Sequence, residues 1–234
     1  MGKTNLILLP GLDGTGELFS PFLKALPPYL SPKIVSYPAN EFLDYDALVE
    51  FVRERIPRDE PFVILAESFS GPVALKLAAT SPQKLIALIL CATFVSNPAP
   101  FPFSIVPSSF CHLLFKFRIP GPALRYFLIG KDAQREMVGH FQQTIQTVVP
   151  DVLARRCESI LSVDVRDELR SSEKPILYLQ AKRDKLVGKR CLREILTLKP
   201  GVKNVMIDAP HFLLQRKPEV AVEAIDNFLQ TEIA

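Results

Sequence analysis

Cysteine is scarce in this chain, with four among 234 residues. They stand apart at Cys91, Cys111, Cys157 and Cys191, with no C-x-x-C pair and no histidine spacing suited to zinc. This pattern argues against both a disulfide framework and a zinc site. We therefore expect a reduced, cytoplasmic protein without a metal site, in which Cys91 at the end of an apolar run is a small buried hydrophobe.

Long apolar runs are also absent. No stretch approaches the ~18 residues that a membrane-spanning helix needs, and the apolar run 6–9 is too short for the hydrophobic region of a signal peptide. Leu6 stands where an N-myristoylation signal would require serine or threonine. The net charge is only +3, and no lysine or arginine run stands out, so we expect neither a membrane span nor a nucleic-acid partner.

The sequence does contain a regular alternation of strand-like apolar runs and helix-like segments. Six strands are predicted, near residues 5, 34, 62, 86, 176 and 204, and the second of them covers 34–37. Helical spacing of apolar residues begins after Asp44 and again at Pro218. Such alternation predicts an α/β fold with a mostly parallel sheet flanked by helices. A length of 234 residues is ordinary for a single domain of this class.

The third predicted strand runs into the most informative stretch of the chain, residues 63–71. Its apolar residues end at Ser68, and small residues, Ala66 and Ser70, stand two places to either side. This pattern is typical of a nucleophile elbow, a strand-to-helix turn so tight that the flanking side chains must be small. A register centred on Ser70 is poorer, because Pro72 suits the first turn of a helix better than an elbow. We predict Ser68 as the nucleophile; the alternative role is a helix N-cap.

Two further strand ends supply an acid and a base in the order that such sites require. Asp184 follows the fifth predicted strand, and His211 lies on a loop before the final helix. An imidazole removes the proton of a serine hydroxyl, and a carboxylate holds the imidazole tautomer and stabilises the imidazolium. We predict a triad of Ser68, Asp184 and His211, with Asp208 and Asp164 as alternative acids. The remaining alternatives are a solvated carboxylate and a hydrogen-bonded surface imidazole.

A glycine-rich loop at 10–16 follows the first predicted strand. Its backbone can approach a bound ligand, and we predict that the N–H of Leu12 joins that of Phe69 in an oxyanion hole, which stabilises charge that appears in the transition state. The glycine spacing fits neither G-x-G-x-x-G nor the Walker pattern with its following lysine. It therefore argues against a nucleotide-binding loop.

Taken together, the loop 10–16, the elbow, Asp184 and residues 210–212 resemble the α/β-hydrolase superfamily over nearly the whole chain. Within it, the chain is similar to small bacterial carboxylesterases, including the pimeloyl-carrier methyl ester esterases of biotin synthesis. The resemblance implies a serine hydrolase of carboxylic esters or thioesters without a cofactor. The chain departs from the family pattern in three ways: Pro210 precedes the histidine, the elbow lacks its glycines, and Glu67 replaces a frequent histidine. Glu67 either tunes the nucleophile or is a solvated or paired carboxylate.

Between the fourth and fifth predicted strands the alternation breaks. Prolines crowd the first third of this stretch and forbid a long helix there, whereas helical patterns resume over 132–161. No parallel strand is evident inside it. We predict a helical cap at about 96–172, inserted after the fourth strand of a single α/β-hydrolase domain over 1–234, whose core comprises 1–95 and 173–234.

We expect the cap to select the substrate. Its phenylalanines are numerous enough to line an apolar acyl pocket, although most of them must pack the cap onto the core: Phe101, Phe103, Phe110, Phe115, Phe117, Phe127 and Phe141. Basic residues outnumber acids there, which suits either an acidic acyl carrier protein as a partner or an ordinary solvated face: Lys116, Arg118, Arg125, Lys131, Arg135, Arg155 and Arg156.

These features predict a serine hydrolase that cleaves a small-molecule ester with an apolar acyl group through an acyl-enzyme intermediate. Such a reaction needs only the triad, the oxyanion hole and an apolar pocket. An acyl thioesterase and an esterase of carrier-linked methyl esters remain alternatives. A non-catalytic ligand receptor is the alternative of another class, since fold does not dictate function. Serine at the elbow argues against dehalogenases and epoxide hydrolases, which use aspartate there.

Overall fold

The computed structural model describes residues 3–80, 82–99, 108–117 and 119–233, without the side chains of residues 108–110, 114 and 233. Its strands are β1 (Thr4–Leu9), β2 (Leu30–Ile34), β3 (Phe62–Glu67), β4 (Leu85–Cys91), β5 (Ile176–Ala181) and β6 (Lys203–Ile207). They form one sheet in the order β2-β1-β3-β4-β5-β6. Neighbouring strands all pair in parallel, which confirms the predicted parallel sheet of six strands.

The central strands are nearly continuous apolar runs because both faces of the sheet are covered. All positions of β3 and β5 are buried. Side chains alternate between the two faces along each strand, so that in β1 Ile7 and Leu9 join one core cluster while Leu6 and Leu8 join the other. The continuous apolar runs that predicted these strands are thus explained by burial on two sides.

Helices connect the strands. Before β4 they are α1 (Ser20–Ala25), α2 (Tyr45–Arg53) and α3 (Gly71–Ala79); between β4 and β5 they are α4 (Ser108–Lys116), α5 (Gly121–Leu124), α6 (Arg135–Gln146), α7 (Pro150–Ser162) and α8 (Arg166–Ser171); after β5 they are α9 (Lys189–Leu198), α10 (Leu213–Arg216) and α11 (Pro218–Ile233). The core cluster on one face of the sheet contains side chains of α2, α3 and α9, and the cluster on the other face contains side chains of α1, α10 and α11. The expected flanking helices are therefore confirmed.

The prediction for the second strand is wrong. The sequence pattern indicated 34–37, whereas β2 covers Leu30–Ile34. Pro32 conceals this strand, because proline cannot donate a backbone hydrogen bond and is rare inside sheets. Since β2 is an edge strand that pairs only with β1, the missing N–H can face away from its single neighbour. Val35 then follows the strand, and its N–H donates to Leu8 O at 3.0 Å.

The helices α4 to α8 follow one another between β4 and β5, and we call them the helical segment. Two small apolar clusters are built mainly from its side chains, and residues outside it, such as Leu18 and Phe212, join the first of them. At its edge, the Phe212 N–H donates to Leu128 O at 3.0 Å, which ties the segment to the loop after β6. The division of the chain into a core and a cap at about 96–172 stays a prediction. Among the helices in the described ranges, none combines the length and the apolar character needed to cross a membrane.

Candidate active site

Ser68 lies in the sharp turn between β3 and α3. Its φ angle is 49°, in the left-handed region that residues with a side chain rarely adopt and that often marks functional sites. The turn is closely packed: a Cβ on Gly71 would lie 2.0 Å from Thr93 Oγ1, and that hydroxyl donates to Ser68 O. Only a residue without a side chain fits at position 71, and the turn holds Ser68, which is half-buried, directly in front of α3.

Three side chains from the ends of three strands meet at this turn. His211 Nε2 lies 3.0 Å from Ser68 Oγ, and His211 Nδ1 lies 2.7 Å from Asp184 Oδ2. The side chains of His211 and Asp184 are 6% and 1% exposed. A neutral imidazole that carries its proton on Nδ1 fits both contacts, since it donates to the carboxylate and accepts from the serine hydroxyl.

The second oxygen of Asp184 is also occupied. Asp184 Oδ1 accepts from the N–H groups of Leu186 at 2.8 Å and Val187 at 2.9 Å. The alternative acids lie elsewhere: Asp208 Oδ1 accepts from Arg183 Nε at 2.9 Å, and Asp164 Oδ2 accepts from Arg166 Nη1 at 2.8 Å. Asp184 is thus the carboxylate that contacts His211. The two backbone N–H groups that bind its Oδ1 fix the orientation of the carboxylate with Oδ2 towards His211 Nδ1.

The pKa of His211 is raised above its ordinary value of 6.5. Burial by itself lowers that pKa, because the charged imidazolium loses solvent. The carboxylate of Asp184 opposes burial through its charge and its hydrogen bond, and Glu67 adds a further negative charge. The net effect favours an imidazolium, which is the form that a general base takes once it has accepted a proton.

Glu67 is buried rather than solvated. Its side chain lies beside the nucleophile turn, and Gln215 Nε2 donates to Glu67 Oε1 at 3.0 Å. Burial raises the pKa of Glu67 to about 7, Gln215 and His211 lower it in part, and Asp13 raises it further. Of the alternatives for Glu67, the solvated carboxylate is therefore excluded, and the carboxylate is paired with the amide of Gln215.

The two predicted oxyanion donors, Leu12 and Phe69, belong to segments next to the turn at Ser68. Phe69 follows it in a short 3-10 turn. The loop 10–16 is adjacent because β1 pairs with β3 and Leu9 lies opposite Ala66. Within the loop, the Gly14 N–H donates to Gly11 O at 3.0 Å. This bond fixes the peptide plane that carries the Leu12 N–H, since a trans peptide directs its N–H opposite to its C=O.

A hydroxyl pair that sequence reasoning missed connects the loop to the nucleophile turn. Ser70 Oγ donates to Pro10 O, and Tyr37 OH lies 2.6 Å from Ser70 Oγ. Ser70 is fully buried, so it is neither the nucleophile nor a surface residue. The signal in the sequence was the serine itself, which stands where glycine is usual in an elbow and so adds a hydrogen-bonding group to a buried turn.

Arg156 is the second residue that sequence reasoning assigned wrongly. It was grouped with exposed basic residues as part of a docking or solvated face, yet it is 1% exposed. Its guanidinium donates to backbone carbonyls of the loop 10–16 and of Pro38. Helical spacing could have indicated this, since Arg156 follows the buried residues Val152 and Leu153 by four and three positions and shares their face of α7.

The remaining predictions for the helical segment have mixed outcomes. A cavity of about 230 Å³ lies between α4, α6 and α7, and Phe115, Phe117 and Phe141 are among its lining residues. Phe127 is exposed. Phe101, Phe103 and Arg118, together with the side chain of Phe110, lie outside the described residues. The other predicted basic residues are exposed or half-buried: Lys116, Arg125, Lys131, Arg135 and Arg155.

Among the residues that the structure describes, no group of three or more histidine, cysteine, aspartate or glutamate side chains could hold a metal ion. The groups of the site are instead a hydroxyl, an imidazole, a carboxylate and backbone N–H donors. This set suits acyl transfer to a serine, which needs a base, an orienting carboxylate and donors for an oxyanion.

Comparisons with known proteins find hydrolases among the relatives of this chain. The model of the Hydrolase_4 family, described as serine aminopeptidase, S33, matches residues 39–200. Biotin biosynthesis bifunctional protein BioHC of Cellvibrio japonicus is 26% identical over 95% of this chain and 44% of its own length. Pimeloyl-(acyl-carrier protein) methyl ester esterase of Xanthomonas oryzae pv. oryzae is 25% identical over 86% of this chain and 85% of its own. The chain thus spans less than half of the bifunctional relative.

A solved structure shows the same fold. A hydrolase from Oleispira antarctica superposes with a TM-score of 0.81 at 16% sequence identity, over 98% of this chain and 92% of its own. The arrangement of strands and helices is therefore that of α/β-hydrolases.

Proposed function

The chain belongs to the Hydrolase_4 family, and from that membership and the geometry of the site we propose that it is a serine carboxylesterase that works through an acyl-enzyme on Ser68. The observation that carries the proposal is the continuous contact from Ser68 Oγ to His211 Nε2 at 3.0 Å and from His211 Nδ1 to Asp184 Oδ2 at 2.7 Å. Such a chain of contacts turns an unreactive hydroxyl into a nucleophile.

In the proposed acylation, His211 Nε2 takes the proton of Ser68 Oγ as that oxygen bonds to the ester carbonyl carbon. Asp184 stabilises the imidazolium. The carbonyl oxygen becomes an oxyanion, which accepts hydrogen bonds from the N–H groups of Leu12 and Phe69. The tetrahedral intermediate then collapses, its bond to the alcohol oxygen breaks, and His211 returns the proton to that oxygen.

Deacylation repeats these steps with water. His211 takes a proton from a water molecule while the water oxygen attacks the acyl carbon. A second tetrahedral intermediate then forms in the same oxyanion hole. When the bond to Ser68 Oγ breaks, His211 returns the proton to the serine and the carboxylic acid leaves. The cycle needs no cofactor, because every proton and electron pair is supplied by the ester, water and these side chains.

We propose an apolar acyl group for the substrate. The cavity of about 230 Å³ in the helical segment supports this, since its lining includes Phe115, Phe141 and Leu153. Leu12 packs against the same cluster that contains Phe115 and Leu153, and Phe141 contacts Phe212, the neighbour of His211, with ring centroids 5.3 Å apart. Apolar walls of this kind bind a chain by burial and leave polar contacts to the reacting end.

A second candidate is an esterase that removes the methyl group from an acyl chain carried by an acyl carrier protein. The name of the relative from Xanthomonas motivates this candidate. Exposed basic residues of the helical segment, Lys131 and Arg135 among them, support it because carrier proteins of this kind are acidic and charge of opposite sign steers association. An acyl thioesterase would use the same triad.

The test is hydrolysis of p-nitrophenyl esters from acetate to dodecanoate by the wild type and by Ser68→Ala. We expect Ser68→Ala to lower kcat by roughly 10⁴- to 10⁶-fold and to lose labelling by a fluorophosphonate, whereas longer acyl chains lower KM in the wild type. Ser171→Ala is the matched control, because Ser171 is an exposed serine at the end of α8.

Other outcomes separate the alternatives. Cleavage of acyl thioesters without any hydrolysis of oxygen esters would identify a thioesterase. Preference for a methyl ester on a carrier protein over the same ester on a short thiol, lost at high salt, would favour the second candidate. A chain that folds but shows neither labelling nor hydrolysis would be a ligand receptor, and the proposal would be wrong.

A further inference from the structure

Arg156 has one of the largest side chains among the fully buried residues of the described chain. Removing a guanidinium from water costs several kcal/mol unless its donors find partners. Here the partners are backbone carbonyls that are remote in sequence: Nη1 donates to Leu12 O at 3.1 Å and to Asp13 O at 2.8 Å, and Nη2 donates to Pro38 O at 2.8 Å. An arginine of the helical segment therefore holds the loop that contains the predicted oxyanion donor.

These bonds act on the peptide planes around Leu12. The plane before Leu12 carries its N–H and is fixed by the bond from the Gly14 N–H to Gly11 O. The plane after Leu12 carries its carbonyl and is fixed by Arg156. With both planes held, rotation about the Leu12 backbone is blocked on either side, and the direction of its N–H is set before any substrate arrives.

The loop 10–16 packs closely against the guanidinium of Arg156. Gly14 has a φ angle of +73°, and a Cβ at this position would lie 2.5 Å from Arg156 Nη1. On the other side of the loop, the Tyr37 N–H donates to Gly14 O at 2.7 Å. The conformation of the loop therefore depends on both residues. Gly14 leaves room for the guanidinium, and the guanidinium donates hydrogen bonds to the carbonyls that the turn directs inward.

We propose that Arg156 is a positioning residue for the oxyanion hole, which acts by holding the Leu12 peptide in place and does not touch the substrate. This inference rests on the proposed function. It implies that α7 of the helical segment contributes to the rate of the chemical step, although the reacting side chains all follow strands of the sheet.

A positioning role has a kinetic signature that general support of the fold lacks. An oxyanion hole binds charge that exists in the transition state and not in the ground state, so its disorder lowers kcat and leaves KM nearly unchanged. The serine oxygen adds to the carbonyl carbon of a trifluoromethyl ketone and forms an oxyanion. A variant with a disordered oxyanion hole should therefore lose affinity for this ketone in proportion to its loss of kcat/KM. Loss of folded protein would instead lower the number of sites that a fluorophosphonate titrates.

The experiment compares Arg156→Met and Arg156→Lys with the wild type, with rates expressed per titrated site. We expect Arg156→Met to lower kcat by about 10- to 100-fold, less than the roughly 10²- to 10³-fold cost of removing an oxyanion donor, with KM within about 3-fold. Arg156→Lys should be intermediate, because an ammonium lacks the planar fork that reaches several carbonyls. Arg193→Met is the matched control: Arg193 is exposed on α9, outside the helical segment and away from the site.

Gly14→Ala tests the same contact from the loop. Its Cβ would displace the guanidinium, so we expect the same loss of kcat and of ketone affinity. If Arg156→Met does not fold, Arg156→Lys and Gly14→Ala decide the question.

Two outcomes overturn the inference: kcat per titrated site equal to that of the wild type in these variants, or a rise in KM with kcat unchanged. Failure of the proposed function is distinguishable, because Ser68→Ala would then retain activity. If Ser68→Ala is inactive while the Arg156 variants are fully active, the inference about Arg156 alone is wrong.

Discussion

The loops at the carboxyl ends of the strands and the helical segment are held in place by different forces. In the loops, directional hydrogen bonds join backbone and side chains: Asp184 uses both of its carboxylate oxygens, and Ser70 connects Tyr37 with Pro10. The helical segment is held mainly by small apolar clusters. It leaves large apolar side chains in solvent, with Phe117 66% exposed and Phe127 47% exposed.

This difference suits the two regions to different roles. Hydrogen bonds have preferred angles and distances, so the loops can hold a reacting geometry, whereas apolar packing is non-directional and tolerates substitution as long as volume is kept. The helical segment can therefore change its lining without disturbing the chemistry, except where Arg156 connects it to the loop 10–16. Substitutions in the loops and in the helical segment should therefore have different effects on kcat and on stability.

The largest expected effect is in the loops. Asp184→Asn should lower kcat by roughly 10⁴-fold. The N–H groups of Leu186 and Val187 would hold the amide oxygen, so the amide NH₂ group would face His211 Nδ1 and favour the wrong tautomer. Asp208→Asn is the control, since Asp208 is an exposed partner of Arg183, and we expect kcat close to that of the wild type. Steady-state hydrolysis of a p-nitrophenyl ester measures both. Equal losses in the two variants would contradict the role of Asp184.

The next prediction compares two phenylalanines of the helical segment. Phe141→Ala should lower the free energy of unfolding by about 3 kcal/mol, because Phe141 is buried against Phe212. Phe117→Ala should change it by less than about 0.5 kcal/mol, since its ring is 66% exposed. Denaturant titration gives both values. Similar losses at the two positions would show that the exposed ring has a covering partner.

A smaller effect is expected from the hydroxyl pair. Ser70→Ala leaves Pro10 O without its donor and should destabilise the protein by about 1–2 kcal/mol while lowering kcat about 10-fold, because the loop 10–16 loses one of its fixed points. Tyr37→Phe keeps the bond from Ser70 to Pro10 and should leave kcat nearly unchanged. Thermal unfolding and ester hydrolysis provide the two readouts. The interpretation fails if Tyr37→Phe lowers kcat as much as Ser70→Ala does.

The smallest effect is a shift in pH dependence. Because the pKa of His211 is raised above 6.5 and the neutral imidazole is the proposed base, kcat/KM should fall as the pH drops through a value above 6.5. Glu67→Gln removes a negative charge that favours the imidazolium, so the pKa of His211 should decrease and the fall should move to lower pH, by less than about one unit.

Profiles of kcat/KM against pH from weakly acidic to weakly basic solution measure this shift. Glu219→Gln is the control, because Glu219 is an exposed glutamate at the start of α11, and its profile should match that of the wild type. A shift to higher pH in Glu67→Gln would contradict the assigned sign.

The sequence predicted the parts of the fold that depend on local pattern. Continuous apolar runs marked β3, β4 and β5 because both of their faces are buried, and parallel strands bring their carboxyl ends to one edge of the sheet. For that reason Ser68, Asp184 and His211 were identified together from their positions after strands. Pro32 hid β2, since a proline is acceptable only at a sheet edge and strand order cannot be read from composition.

The contacts of buried polar side chains with distant backbone were beyond prediction. Arg156 and Leu12 are 144 positions apart, and the carbonyls that accept from the guanidinium have no signature in the sequence. An arginine in an amphipathic helix is expected in solvent unless the fold supplies acceptors. Ser70 raises the same difficulty, because its partner Pro10 lies 60 positions away and is recognised only when β1 and β3 are seen side by side.

Pro32 also bears on how copies of this chain meet. An outer strand of a sheet normally presents a row of unsatisfied amides and carbonyls, onto which a foreign strand can add. In β2 that row is interrupted near its middle by a residue with no amide hydrogen, and Lys33 follows it with a charge. An incoming strand would therefore lose a hydrogen bond and bury a cation at this margin, so continuous sheets that grow from it are disfavoured, and the protein is protected on this side against self-assembly into fibres.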